Sequence, residues 1–406
     1  MPWTYKPRWL APRLVEAVEF SPVVVLTGAR QTGKSTLLRN EAPFMDWPYL
    51  TLDDLDVREM AENDPNELAA LHDRVVIDEV QKVPKLMSAI KLQVDRNRDR
   101  RYVLSGSAHL LLMKAVSESL AGRALYFELM PFTLGEETLR PPPDWLPAGR
   151  QPEEISTGVK QKENISNSYL FRGALPPVTF LTKSSQVSTW WEGYIRTYLE
   201  RDLRDLSQIA NLPDFRKAMA LLASRTGQLL NAADIARSTR LSQATVGRYI
   251  NLMETGGLFA KLQPFSRNVS KRVVKSPKIF CLDTGLACGL CGIRSPESID
   301  PSFRGQLFET LAFHHLSVIA SVNGGRIFYL RKQGGLEREI DFLLEIDGRI
   351  LTVEVKASER VGLRDAENMI QLRELLPDWH GGLVIYNGES IQKLRRNIWA
   401  VPLIAL

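Results

Sequence analysis

Apolar residues along the chain follow two rhythms. Val23-Val24-Val25-Leu26-Thr27 is an unbroken apolar run, as are Val75-Val76-Ile77 and Tyr102-Val103-Leu104. Helical stretches separate them. Short apolar runs alternating with helices predict a parallel sheet of the α/β kind. Residues 186 to 256 read mostly as helix. The last hundred residues read helix, strand, strand, strand, helix, strand, a second α/β module. Composition breaks the pattern in three places. Arg140-Pro141-Pro142-Pro143 opens a polar stretch to about residue 168, read as an exposed loop inside the first module. A second break follows residue 264, and a third lies near Ser295-Pro296 and Asp300-Pro301.

The first apolar run leads into chemistry. Gly28-Ala29-Arg30-Gln31-Thr32-Gly33-Lys34-Ser35 follows it with full Walker A spacing, and Thr36 comes next. Glycines let backbone N–H groups wrap phosphates, and a helix starts there with its positive end inward. Lys34 would reach the β- and γ-phosphates of ATP, and the Ser35 hydroxyl would hold Mg²⁺. The second apolar run ends in Asp78-Glu79. Asp78 would share the magnesium, and Glu79 would polarise the attacking water as general base. The third ends in Ser105-Gly106-Ser107, where Ser105 could sense the γ-phosphate or form a plain turn. Arg123, in Ala121-Gly122-Arg123, is a candidate arginine finger for a neighbouring subunit's ATP.

The chain has 406 residues, enough for two or three domains, and a net charge of +5. A pI near 9.0 hints at a polyanionic partner. No apolar run approaches the roughly 18 residues needed to span a bilayer, and the first residues lack a signal-peptide stretch. The expectation is a cytoplasmic protein with no membrane partner. Three cysteines, Cys281, Cys288 and Cys291, form no disulfide framework. Cys288 and Cys291 have metal-like spacing without the ligands to complete a zinc site.

Gly28 to Lys34, Leu52-Asp53-Asp54, Ile77 to Pro84, Ser105-Gly106-Ser107 and Ser119 to Arg123 together resemble an AAA-type P-loop ATPase family. Tyr194 to Leu203 and Pro277 to Leu286 match its pattern too. The resemblance covers nearly the whole chain. It implies a C-terminal domain of unknown function with a restriction-endonuclease-like core, and ATP sites near subunit boundaries of a ring, hexameric for instance, or another homo-oligomer. The polar stretch near 141 to 168 departs from the compact pattern.

Residues 214 to 265 read as helix, helix, turn, helix and ribbon, a winged helix-turn-helix. Ser242 is a plausible N-cap. Val246, Ile250 and Met253 are spaced to face a core. Gln243, Thr245 and Arg248 would then face DNA. The ribbon carries Lys261, Arg267, Lys271, Arg272, Lys275 and Lys278, with no acidic residue from 261 to 278. That stripe suits phosphate contacts.

Further on, Ile340 to Ile346 and Arg349 to Lys356 alternate with a period of two around Asp347-Gly348, a favoured hairpin turn. That turn predicts pairs whose numbers sum to 695. Asp341 would face Glu354, and Glu339 would face Lys356, all on one side. Ile340, Phe342, Leu344, Ile346, Leu351, Val353 and Val355 would form the core side. Opposed carboxylates invite a divalent ion, with Glu309 on the preceding helix as a third ligand and Lys356 orienting water. The set Glu309, Asp341, Glu354 and Lys356 is similar to the active-site signature of restriction-endonuclease-like nucleases.

The expected organisation is therefore an ATPase module over 1–210, a winged helix over 211–280 and a nuclease-like α/β domain over 281–406. Its expected function is ATP-driven action on duplex or branched DNA, with Asp341, Glu354 and Lys356 as candidate cleavage residues. The alternative is a nucleotide-controlled switch or scaffold whose nuclease-like domain does not cut.

Overall fold

The structure is a computed structural model that describes residues 4–106, 119–143, 164–197, 211–266, 276–332, 338–376 and 378–406. It clusters into two compact units. One holds the described residues up to Phe132 with Asn251–Leu258; the other holds the described residues of Thr133–Leu199, Ile209–Ile250 and Phe259–Leu406.

In the first unit the apolar runs form strands β1 (Val23–Thr27), β2 (Tyr49–Thr51), β3 (Arg74–Asp78), β4 (Arg101–Ser105) and β5 (Ala124–Glu128). They pair in parallel in the order β2-β3-β4-β1-β5. All five residues of β1 are buried, as expected of a strand covered on both faces. Helix Ala11–Phe20 precedes β1, and helices Lys34–Asn40, Leu55–Asn63, Pro65–Ala70 and Leu86–Arg96 lie between the strands. Val23, Val25, Val75, Ile77, Tyr102 and Leu104 pack in one cluster with Ala61, Leu68, Met87, Ile90 and Val94.

In the second unit β6 (Phe259–Leu262) pairs antiparallel with β7 (Lys278–Cys281). Helices Leu212–Ala223 and Ala232–Thr239 and helix Gln243–Thr255, of which the part up to Ile250 belongs to this unit, precede the ribbon in the chain. Asn231 caps the second of them by accepting from the Asp234 N–H. Ser242 Oγ accepts from the Thr245 N–H at 3.1 Å, as expected of an N-cap. Val246, Ile250 and Met253 are buried.

The long helix Pro301–Val322 is buried over most of its circumference. A six-stranded sheet follows, built from β8 (Arg326–Lys332), β9 (Arg338–Ile346), β10 (Arg349–Lys356), β11 (Trp379–Tyr386), β12 (Gln392–Arg395) and β13 (Ile398–Pro402). Its order is β12-β13-β11-β10-β9-β8. The last two strands were not expected from the sequence. The β9–β10 turn is: Asp347 and Gly348 both take positive φ, 49° and 73°, and the paired numbers sum to 695 from Arg349↔Ile346 to Val353↔Phe342.

The sidedness of β9 differs from strict alternation. Its register against β8 shifts, so that Phe328 faces Leu343 while Leu330 faces Ile340. Tyr329 thus opposes both Asp341 and Phe342, a β-bulge. Ile340 and Leu343 therefore pack together against Met369 and Leu372. Phe342 turns the other way, to the rings of Phe280 and Phe313 at 5.7 and 6.1 Å. Ile340 and Phe342 do not share a core side as alternation implies, because one extra residue reverses the pattern.

Candidate ATP site and carboxylate cluster

The turn between β1 and helix Lys34–Asn40 needs unusual backbone angles, and the sequence provides for them. Gly28 has φ of 143°, and a Cβ there would lie 2.3 Å from the Leu129 carbonyl oxygen. Gly33 has φ of 95°, and Gln31 takes φ of 63°. Thr32 is fully buried and its hydroxyl donates to the Ala29 carbonyl at 3.0 Å. Ala29, Arg30 and Ser35 are partly buried, while Gln31 and Thr36 are exposed.

A residue that sequence reasoning missed fixes the shoulder of this loop. Arg8 is buried. Its Nη1 donates to the Thr32 carbonyl at 2.8 Å, and its Nη2 donates to those of Met130 and Pro131 at 2.6 and 3.1 Å. The guanidinium also lies 4.7 Å from the Phe132 ring centre. No motif marks Arg8, which lies 20 residues before Gly28.

Lys34 Nζ donates to the carbonyls of Gly28 and Ala29, each at 3.0 Å. Burial lowers its pKa to about 8, against the pull of Glu79 and Asp78. Ser35 Oγ donates to Asp78 Oδ2 at 2.8 Å. Tyr49, on the neighbouring β2, donates to the same oxygen, and Arg39 lies over its ring at 4.1 Å. Tyr49 was also missed, since parallel pairing alone brings β2 beside the end of β3.

Glu79 sits in the left-handed region at φ 57°. Burial and then the Asp78 charge raise its carboxyl pKa, which suits a group that must accept a proton. The Gln81 amide donates to it. Ser105, at the end of β4, is buried, and its hydroxyl has no hydrogen-bond partner among the described residues. Ser107 lies outside the described residues. The Arg123 fork grips Asp95 of its own chain at 2.6 and 3.1 Å, which holds the Asp95 carboxyl below its usual pKa.

Ser35 and Asp78 are hard oxygen donors already in contact, the chemistry that Mg²⁺ accepts. With the ion bound there, it would supply charge neutralisation on the phosphates. Lys34 would then orient and neutralise phosphate oxygens, and Glu79 would take the proton of the attacking water.

A different arrangement occupies the second unit. Lys278, on β7, is buried, and its Nζ lies 2.6 Å from Glu339, 3.0 Å from Glu309 and 3.8 Å from Asp341. The sequence placed Lys278 in a basic stripe for phosphates; here its ammonium is enclosed by carboxylates instead. Burial opposes that charge, but Glu309, Asp341 and Glu339 outweigh it and hold its pKa above the usual lysine value. Burial and the nearby Asp341 charge push Glu309 up to about 7 and Glu354 to about 9. Asp341 Oδ2 accepts from the Val355 N–H at 2.8 Å. Lys356 Nζ lies 3.4 Å from Glu354 Oε2, so the expected Glu339–Lys356 pairing gives way to Glu339–Lys278 and Glu354–Lys356. Glu354 is buried, and its Oε1 has no hydrogen-bond partner among the described residues.

Among the described residues no three His, Cys, Asp or Glu side chains form a set that could hold a metal ion. Glu309, Asp341 and Glu354 therefore do not assemble the three-carboxylate centre expected from the sequence, since an ammonium stands among the carboxylates. Cys281, Cys288 and Cys291 are free thiols.

On the helix Gln243–Thr255, Gln243 and Arg248 are exposed and Thr245 is partly buried. Arg267, Lys271, Arg272 and Lys275 lie outside the described residues. No described helix is long and apolar enough to cross a membrane.

Residues 20–138 match a family described as an AAA domain. Residues 164–297 and 304–406 match two domains of unknown function, DUF8612 and DUF4143. An uncharacterized protein of Mycobacterium tuberculosis is 31% identical over 403 residues, which cover 97% of this chain and 82% of that protein; one from Mycobacterium bovis gives the same figures. The chain belongs to the family of these two proteins. Its AAA-type P-loop ATPase domain is the one built around Lys34 and Asp78. A more distant relative, an uncharacterized protein of Haemophilus influenzae, is 20% identical over 386 residues, 89% of each chain. Among solved structures, a Walker-type ATPase of Pyrococcus abyssi is similar at 15% identity and TM-score 0.43, covering 69% of this chain and 94% of that one. A RuvB variant of Thermotoga maritima is similar at 14% identity and TM-score 0.30, covering 62% and 88%.

Proposed function

We propose that this family member binds Mg²⁺ and ATP at Gly28 to Thr36, hydrolyses the nucleotide with Glu79 as general base, and couples turnover to duplex or branched DNA. One observation carries the hydrolytic part. Ser35, Asp78 and Glu79 meet beside the buried Lys34 ammonium, so cation ligand, phosphate ligand and base share one loop and one strand end. The Ser105 hydroxyl at the end of the adjacent strand, without a hydrogen-bond partner among the described residues, supports a γ-phosphate or water contact there.

The DNA part rests on the capped helix Gln243–Thr255, with Gln243 and Arg248 exposed beside Thr245, and on the basic residues Arg267, Lys271, Arg272 and Lys275. Helix N-terminal polar groups read base edges, and lysine and arginine stripes hold phosphates. In a homo-oligomer Arg123 would leave Asp95 for a neighbour's nucleotide.

Two variants test the core of this reading. Lys34→Ala abolishes nucleotide binding; Glu79→Gln retains binding and loses turnover. Duplex or branched DNA raises the wild-type rate and leaves Glu79→Gln silent. Turnover in Lys34→Ala equal to wild type would overturn the ATP site, and a rate indifferent to every DNA form would overturn the DNA coupling.

The enclosed Lys278 favours a version in which the nuclease-like domain switches or docks without cutting. DNA cleavage lost in both Asp341→Ala and Lys356→Ala would refute that version.

A further inference from the structure

We infer that Lys278 is a built-in cation: its ammonium takes the place that a divalent ion would occupy among Glu309, Glu339 and Asp341, so that this cluster takes no divalent ion while the lysine is present. The inference rests on the reading of the domain as nuclease-like but silent.

The geometry leads to it in steps. Lys278 and Phe280 are two residues apart on β7, so they point to the same side. Phe280 stacks on Phe313 of the long helix at 4.3 Å and meets Phe342 of β9 at 5.7 Å. That aromatic contact fixes which side of β7 faces helix and sheet, and it delivers Lys278 to the carboxylates beside it. The Thr226 and Thr310 hydroxyls meet at 2.7 Å next to Glu309, and Gly227, at φ 82°, lets the chain pass close to the Glu309 carboxylate.

Three carboxylates from two elements then receive one ammonium. Glu309 comes from the helix, while Glu339 and Asp341 come from β9. The bulge at Asp341 matters here, because it places Asp341 within reach of Lys278 while Ile340 stays on the opposite, apolar side. Asp341 is also tied by the Val355 N–H to Oδ2. Lys278 offers three N–H donors, and Glu339 and Glu309 already lie at hydrogen-bond distance. A magnesium ion needs oxygen ligands at about 2.0–2.1 Å in an octahedron. An ammonium at 2.6 and 3.0 Å from two of the same oxygens fills that volume and repels a second cation.

The test uses full-length protein carrying Asp78→Asn, so that the ATP site takes no metal, with Mn²⁺ alone as the probe. Calorimetry and thermal melting are read with and without millimolar Mn²⁺. With Lys278 intact, no binding dependent on Asp341 is expected, and melting is unmoved by the ion. Lys278→Ala leaves Glu309 and Asp341 without their ammonium, while Glu339 keeps only Arg331 at 3.8 Å among the described residues, and lowers the melting temperature by about 10 °C. Mn²⁺ recovers most of that loss, and adding Asp341→Asn removes the recovery. Lys278→Arg keeps the charge, folds, and stays deaf to Mn²⁺. Mn²⁺ binding in the Lys278-intact protein that Asp341→Asn abolishes would overturn the inference. So would a Lys278→Ala protein that melts like its parent, or one destabilised but not rescued by the ion. None of these readouts depends on ATP turnover or DNA, so they fail or succeed separately from the proposed function.

Discussion

Arg8 offers the sharpest test of how the phosphate loop is held. Replacing it by lysine keeps the positive charge and most of the length but loses the planar fork. The guanidinium now meets three carbonyl oxygens, of Thr32, Met130 and Pro131, at 2.6 to 3.1 Å. A lysine ammonium has one nitrogen where the fork has two, so it cannot span the Thr32 carbonyl on one side and those of Met130 and Pro131 on the other, and up to two carbonyls lose a charged donor. Each such bond contributes roughly 1.5–3 kcal/mol, and an orphaned buried carbonyl costs about as much as the bond was worth. The expected loss is about 3–5 kcal/mol, a large share of the roughly 5–15 kcal/mol that keeps a domain folded. Because Thr32 belongs to the loop itself, part of that loss appears at the nucleotide. If about 1.4 kcal/mol of it is felt there, affinity falls about tenfold. The assay pairs thermal unfolding of the nucleotide-free protein with titration by a fluorescent ATP analogue. Arg8→Lys protein that melts within a degree of wild type and binds nucleotide equally well would refute the idea that this guanidinium holds the loop.

Two further outcomes follow from the same site. The Lys34 pKa is depressed from 10.5 to about 8, so the folded protein loses this ammonium at a pH where the unfolded chain still keeps it. The sign follows: across pH 8 to 10.5 this group makes folding more favourable as pH rises, while nucleotide affinity falls about tenfold per unit above 8. Dissociation constants measured from pH 7 to 9.5 check it, and a flat profile would contradict the burial of Lys34. Tyr49→Phe removes one of two hydroxyls on Asp78 Oδ2. Losing about 1 kcal/mol there raises the Mg²⁺ concentration for half-maximal ATPase roughly fivefold without changing the melting temperature much; an unchanged Mg²⁺ dependence would show that Tyr49 does not position Asp78.

The parts legible in the sequence were those set by short-range rules. The P-loop run, the parallel strands around it and the Asp347-Gly348 hairpin all follow from spacing and turn chemistry, and they appear where those rules put them. What escaped depends on partners distant in the chain. Arg8 acts on carbonyls up to 123 residues away, and no local pattern encodes that reach. Tyr49 belongs to none of the motifs, and parallel pairing of β2 with β3 is what brings it beside Asp78. Lys278 looked like its basic neighbours, because charge along the chain says nothing about which side of a ribbon is buried. The sides of β9 were misread for a related reason. Alternation assumes an uninterrupted strand, and a bulge is invisible until the opposing strand is in place.

That extra residue in β9 constrains how the strand can change length. Suppose evolution or an engineer removed Asp341 while the hairpin beyond stayed fixed. The bulge would vanish: Ile340 would still face Leu330 and Leu343 would still face Phe328, now in one unbroken register, and inside and outside would stay as they are. A residue lost from the regular stretch beyond has no such slack and turns over every position before it. The surplus position is thus the one place where β9 can shorten by a single step without inverting its faces, at the cost of the carboxylate it carries.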